Sequence, residues 1–256
     1  MSADLPPTAP APVERPVMVQ RWSDVVFVHW RYDPAVVQAL LPRGVHVDTI
    51  DGNAWVGLVP FRMEGLGVPG WAPLPLVGSF PEVNVRTYVR AGGRRGVWFF
   101  SLDIDRALPA VVACAAYHLP YCVGDVLHVH AGGMIISSVE RRWPHGATVR
   151  SHLAVEVGSR PADDDALARV LTSRWGLVSA TRRGRLAHAP VDHRPWPLQQ
   201  GQVRDLEDGL LAGAGLPAPQ GDPHVVWSPG VDVRVGRPAR RCDGRHSPTG
   251  QAGLAA

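Results

Sequence analysis

Between residues 18 and 237 the apolar positions fall into short, valine-rich, alternating runs bounded by turn dipeptides such as Asp51-Gly52 and Gly92-Gly93. The alternation predicts strands over 24–30, 45–50, 54–63, 82–90, 97–104, 123–130, 134–139, 148–157, 177–180 and 185–190. Helices interrupt this series rather than alternate with it. One starts at Asp33-Pro34 and puts Val36, Val37, Leu40 and Leu41 on a common face before Pro42 stops it. A second is expected over 108–118, ended by Leu119-Pro120, and a third begins at the acidic run Asp163-Asp164-Asp165 and carries Leu167, Val170 and Leu171 inward. Long meanders with few helices predict an α+β, mainly β domain: a curved or closed antiparallel sheet with helices packed outside it. The proline-rich residues 1–17 and the Gly/Ser/Ala-rich residues 238–256 lack periodic hydrophobicity and are expected to be disordered tails around a single domain over 18–237.

The strands that flank Gly92-Gly93 hold the most informative pattern. From Glu82 to Val89 the alternation is strict, with Glu82, Asn84, Arg86 and Tyr88 on one face and valines on the other. If Ala91 to Arg94 form the loop, Val83 faces Leu102 and Val85 faces Phe100, which sets Asn84 opposite Ser101 and Glu82 opposite Asp103. Opposed side chains lie roughly 5 Å apart. On a buried face, two such carboxyls hold one proton near neutral pH while Arg86 receives an anion; on a solvated face the same residues form an ordinary polar row.

Composition narrows the chemistry. All 26 basic residues are arginine, so no side-chain amine is available for a Schiff base and no lysine-dependent phosphate loop can exist. A GxSxG nucleophile elbow is also missing. Three cysteines without a CxxC pair do not make a disulfide framework. The net charge of +3 comes from scattered arginines, which does not predict a nucleic-acid partner. No apolar run reaches the ~20 residues that span a bilayer, and the N-terminal residues do not read as a secretory signal, so a cytoplasmic protein is expected. His128 and His130 share a strand face, but no further ligand is spaced to complete a metal site, and neither metal nor cofactor is predicted.

Six ordered segments carry a resemblance. Phe27-Val28-His29-Trp30 with Asp33-Pro34, Trp55 to Phe61, Phe80 to Tyr88, Gly96 to Asp103, Leu119-Pro120-Tyr121 and Pro195 to Gln199 are together similar to the YqjF-like family of uncharacterised bacterial proteins. That family is regarded as a distant relative of acetoacetate decarboxylase, so the resemblance implies that enzyme's curved, cone-like β-barrel with a central cavity. It also implies that Tyr121 stands where the decarboxylase has its nucleophilic lysine; a slip of one residue would place Cys122 there. A phenol in that position can polarise a carbonyl or an enolate.

The expectation is therefore a small-molecule site without a Schiff base. Glu82, Asp103 and Tyr121 are the expected catalytic groups, and Arg86, Asn84, Ser101 and His29 the expected binding groups, for a small anionic or carbonyl-bearing ligand. Lyase, isomerase or condensation-type enol chemistry fits them. A non-catalytic binding or structural protein on the same scaffold is the alternative, and a homo-oligomer fits either. The segment from His188 to Trp196 is rich in pocket-lining residue types, although its prolines also suit a rigid crossing loop.

Overall fold

The computed structural model describes residues 6, 8–71, 78–106, 117–146, 148–181 and 183–240. Among these, thirteen strands form one strongly curved sheet: β1 (Met18–Tyr32), β2 (Val45–Val47), β3 (Ala54–Gly67), β4 (Phe80–Ala91), β5 (Arg94–Ile104), β6 (Tyr121–Ala131), β7 (Met134–Trp143), β8 (Arg150–Pro161), β9 (Gly176–Ala180), β10 (Leu186–His193), β11 (Gln199–Asp208), β12 (His224–Val235) and β13 (Ala239–Arg240). The order is β13-β10-β9-β5-β6-β7-β8-β11-β12-β1-β3-β4-β2, and the extra pairings β4–β5 and β10–β12 bring distant parts of the series back together. Pairing is mainly antiparallel as expected, but β5 runs parallel to both β6 and β9. Short helices α1 (Pro34–Ala39), α2 (Ala166–Thr172) and α3 (Leu210–Gly213) sit between strands.

The helix starts follow from their caps. Asp33 accepts from the Ala35 amide with Pro34 at the first turn, and Asp165 accepts from the Ala168 amide. The helix expected over 108–118 lies almost wholly outside the described residues. Part of the proline-rich N-terminal segment packs instead of standing free: Val13 is buried, and its N–H donates to Asp192. At the other end, Ala239 and Arg240 pair with β10. No helix among the described residues is long and apolar enough to cross a membrane.

β1, β3 and β4 form a wall buried on both sides, which explains their nearly unbroken apolar runs. One side joins Val26, Val28, Leu58, Val83 and Val85 to Ile135, Val139, Leu153 and Val155 of β7 and β8. The other side carries Val25, Phe27, Val59, Phe61 and Phe80 with Ile104 of β5.

Two irregularities aim side chains. In β5, Phe100 is an extra residue: Val85 pairs with Ser101 but Arg86 pairs with Phe99. Between β1 and β12, Ser23 pairs with Gly230 and Val25 with Ser228, leaving Asp24 and Pro229 between them. Asp24 has φ of 50° and Gly230 has φ of 126°. A Cβ on Gly230 would sit 2.1 Å from the Trp22 carbonyl oxygen, so only glycine allows β12 to approach β1 there. Three strands absent from the predicted series complete the sheet, the short β13 among them. β11 alternates polar residues with few β-formers, and β12 contains Ser228-Pro229-Gly230, a turn signature that here is a bulge inside a strand.

Gly230→Ala should destabilise the fold by about 3 kcal/mol or more, seen as a loss of roughly 6–12 °C in thermal denaturation.

Candidate functional site

The polar face of β4 does not meet water. Glu82, Asn84, Arg86 and Tyr88 are 2%, 3%, 9% and 0% exposed, and the first three line an internal cavity of about 250 Å³. Alternation on β4 aims them inward, and β3 and β5 supply the neighbours: Glu82 pairs with Phe61 on one side and Ile104 on the other, Arg86 with Gly57 and Phe99.

Burial pushes the Glu82 carboxyl up to about 8, because a carboxylate loses its hydration there. Hydrogen bonds from Asn84 and Tyr121 oppose the rise, and the charge of Asp103 adds to it. Tyr121, at the start of β6, donates its hydroxyl to Glu82 Oε2 at 3.3 Å, brought there because β6 pairs in parallel with the end of β5. Glu82 is thus a protonated acid at neutral pH.

Arg86 lies with its guanidinium carbon 5.3 Å from the centroid of Phe27 and donates to the Tyr88 hydroxyl at 3.5 Å, while its buried Nε has no partner. It has no carboxylate partner among the described residues. A second guanidinium, Arg174, just after α2, stacks 4.5 Å from the Tyr88 ring centroid. Its Nη1 meets Asp48 Oδ2 at 2.6 Å, its Nε donates to the Val170 carbonyl, and its Nη2 is buried without a partner. Asp48 also receives Arg90 and Arg95; burial alone would raise its pKa, but these arginines, Arg174 foremost, hold it below the ordinary carboxylate range.

Three expected residues stand elsewhere. The extra residue at Phe100 moves the second half of β5 to the opposite face from that expected by simple alternation. Asp103 therefore pairs with Val83 instead of Glu82, is fully buried on the far side of β4, and forms a two-pronged ion pair with Arg141 at 2.7 and 2.8 Å. Ser101 faces that side too, and Val97, Phe99 and Leu102 take the cavity side. The two carboxyls do not form a side-by-side pair.

His29 is buried behind the cavity, its Nε2 2.5 Å from the Tyr88 hydroxyl, so it braces Tyr88 without lining the space. Burial, and then the charge of Arg86, hold its pKa well below the usual histidine value, so it is neutral. It fits only because Gly57 opposite leaves room: a Cβ there would be 2.7 Å from Nε2. His128 and His130 both bind Asp24, at its carbonyl and carboxylate respectively. Among the described residues no group of three or more potential metal ligands occurs.

Arg174 was absent from the expected set, since a lone arginine after a short helix carries no motif. Trp22, His193 and Trp196 also line the cavity. The signal for the last two was the pocket-forming composition of 188–196; the end of β10 delivers His193 and the loop after it Trp196.

The fold and cavity define a class. Over 90% of its length the chain matches the enduracididine biosynthesis enzyme MppR, solved with the condensation product of pyruvate and imidazole 4-carboxaldehyde, at a TM-score of 0.64, 92% coverage of that chain and 18% identity. It matches an acetoacetate decarboxylase-like enzyme from Sphingomonas wittichii RW1 at a TM-score of 0.60, with 91% and 95% of the two chains covered and 16% identity. At such identities the likeness is one of fold, and it is the acetoacetate decarboxylase-like fold. Within that class the chain belongs to the DUF2071 family of uncharacterized conserved proteins, whose model matches residues 19–232. It is 33% identical over 219 residues to the uncharacterized protein YqjF of Bacillus subtilis (strain 168), covering 85% of this chain and 89% of that one.

Two outcomes follow from the electrostatics. An unfolded glutamate loses its proton near 4.5 and the folded Glu82 near 8, so between these values the folded state holds a proton that the unfolded state has released. Stability is lost as pH rises through that window. Glu82→Gln should remove a loss of a few kcal/mol, measured as the parent-minus-variant difference in unfolding free energy at pH 5 and pH 8.5; an unchanged difference would place the proton elsewhere. Arg141→Met strands the Asp103 carboxylate and should cost about 3–5 kcal/mol in urea denaturation.

Proposed function

We propose that the protein binds a small carboxylate bearing a carbonyl or enolisable group, anchored by Arg86 and presented to Glu82 and Tyr121 for proton transfer. The observation that carries this reading is a buried guanidinium without a carboxylate partner among the described residues, sharing a cavity with a carboxyl pushed up to about 8. Burying an unpaired cation costs several kcal/mol, and an anionic ligand offsets that cost. A carboxyl that is neutral at pH 7 can donate a proton to a developing enolate carbon or alkoxide and take one back as the carboxylate. The Tyr121 hydroxyl, already at Glu82, can turn its hydrogen bond to the ligand oxygen.

Without lysine, imine formation by a side-chain amine is not available, so the reading is lyase, isomerase or condensation-type enol chemistry by hydrogen bonding and proton transfer alone. The placement of Asp103 on the far face leaves Glu82 without a second carboxyl in the cavity, which favours a single proton carrier. It also keeps the non-catalytic binder as a second reading. MppR has been solved with pyruvate, which makes 2-oxo acids the first ligands to test.

A thermal-shift series with 2-oxo and 3-oxo acids checks this. A ligand at about 100 times its Kd should stabilise the parent by about 2.7 kcal/mol, a rise of roughly 5–10 °C, and the rise should vanish in Arg86→Ala. Exchange of the ligand's α-hydrogens with deuterated solvent, lost in Glu82→Gln, marks a catalyst; retained binding with no exchange in the parent marks a binder.

A further inference from the structure

Five buried polar atoms without partners belong to residues that line the cavity: Gln20 Oε1, Trp22 Nε1, Asn84 Oδ1, Arg86 Nε and Arg174 Nη2. Two of them are guanidinium nitrogens on arginines that both approach the Tyr88 ring, with guanidinium carbons 5.8 and 4.5 Å from its centroid. They mark one anion subsite with two arms. Arg174 is already engaged with Asp48 at 2.6 Å, which leaves Arg86 as the cavity guanidinium without a carboxylate partner among the described residues.

The rest of the lining is different in kind. From Arg86 an unbroken series of rings leads back to Glu82. Phe27 lies under Arg86, Trp196 meets Phe27 edge-on at 5.1 Å, Trp22 stacks on Trp196 at 6.0 Å, and Phe61 meets Trp22 edge-on at 5.7 Å and pairs with Glu82 across the strands. Of the described residues that line the cavity, only Arg86, Arg174 and Glu82 carry aspartate, glutamate or arginine side chains. A second carboxylate at the Glu82 end would therefore meet no cation. The space is also generous for a short acid: about 250 Å³ equals the volume of about eight liquid waters.

We infer that the occupant is a monocarboxylate with an apolar aryl or alkyl tail, its head group clamped between Arg86 and Arg174 and its tail laid along the Phe27, Trp196, Trp22 and Phe61 rings. This rests on the reading of the cavity as an acid-binding site and names the class of acid.

Isothermal titration of the full chain with pyruvate, phenylpyruvate, 2-oxooctanoate and 2-oxoglutarate tests it. Phenylpyruvate and 2-oxooctanoate should bind at least tenfold tighter than pyruvate, about 1.4 kcal/mol, and 2-oxoglutarate no tighter than pyruvate. Arg174→Met should weaken all binding acids at least tenfold. Trp196→Leu should remove most of the tail's advantage and leave pyruvate affinity within about twofold; because the four-acid series is read on the parent, the result does not hang on how that variant folds. If 2-oxoglutarate binds as tightly as phenylpyruvate, or phenylpyruvate no better than pyruvate, the tail assignment is wrong while the acid site stands. If none of the four binds, the acid site itself is refuted and the tail with it.

Discussion

Burying a strand that carries Glu82, Asn84, Arg86 and Tyr88 on one face takes four polar side chains from water, and an ion left unpaired there costs several kcal/mol. Everything around β4 answers that constraint. Glu82 keeps its proton and accepts hydrogen bonds from Asn84 and Tyr121. Arg86 rests on the face of Phe27, and Tyr88 is held by a neutral His29 that fits because Gly57 has no side chain. Of the atoms left unsatisfied around this face, Asn84 Oδ1 and Arg86 Nε belong to residues that line the cavity, while His29 Nδ1 is closed off behind it.

The two sides of the β1-β3-β4 wall do different work. On the far side, Asp103, paired with Val83 across the strands, and Arg141 form a two-pronged ion pair that ties β5 to β7. On the cavity side, the Asp48 cluster reaches from partly exposed Arg90 and Arg95 to buried Arg174. It holds Arg174 in place while leaving one guanidinium nitrogen to face inward.

Much of this was legible in the residues. Period-two alternation located the strands of the central wall, the caps located α1 and α2, and the row from Glu82 to Tyr88 pointed to the cavity face. The long meanders with few helices pointed to a curved or closed antiparallel sheet, and the resemblance to the YqjF-like family implied the curved form. Register was beyond reach, because pairing Val85 with Phe100 obeys every hydrophobic rule and the extra residue shows only when the strands are docked. β12 hid behind Pro229-Gly230, which spells a turn to any local reading. Arg174 and the Trp22–Trp196 stack were silent for a different reason: Arg174 meets Asp48 across 126 residues of chain and the two tryptophans come from β1 and the loop after β10, so nothing near each announces the other.

The extra residue in β5 has an evolutionary reading. Deleting Phe100 would leave Phe99 against Arg86 and Ser101 against Val85 with nothing extra between them, so Leu102 would stay at the cavity wall and Asp103 with Arg141. A one-codon loss there is thus silent for the cavity lining, whereas a slip that paired Val85 with Phe100 would trade Leu102 for Asp103 and strand Arg141. Relatives one residue shorter there are therefore expected to keep the same single carboxyl in the cavity.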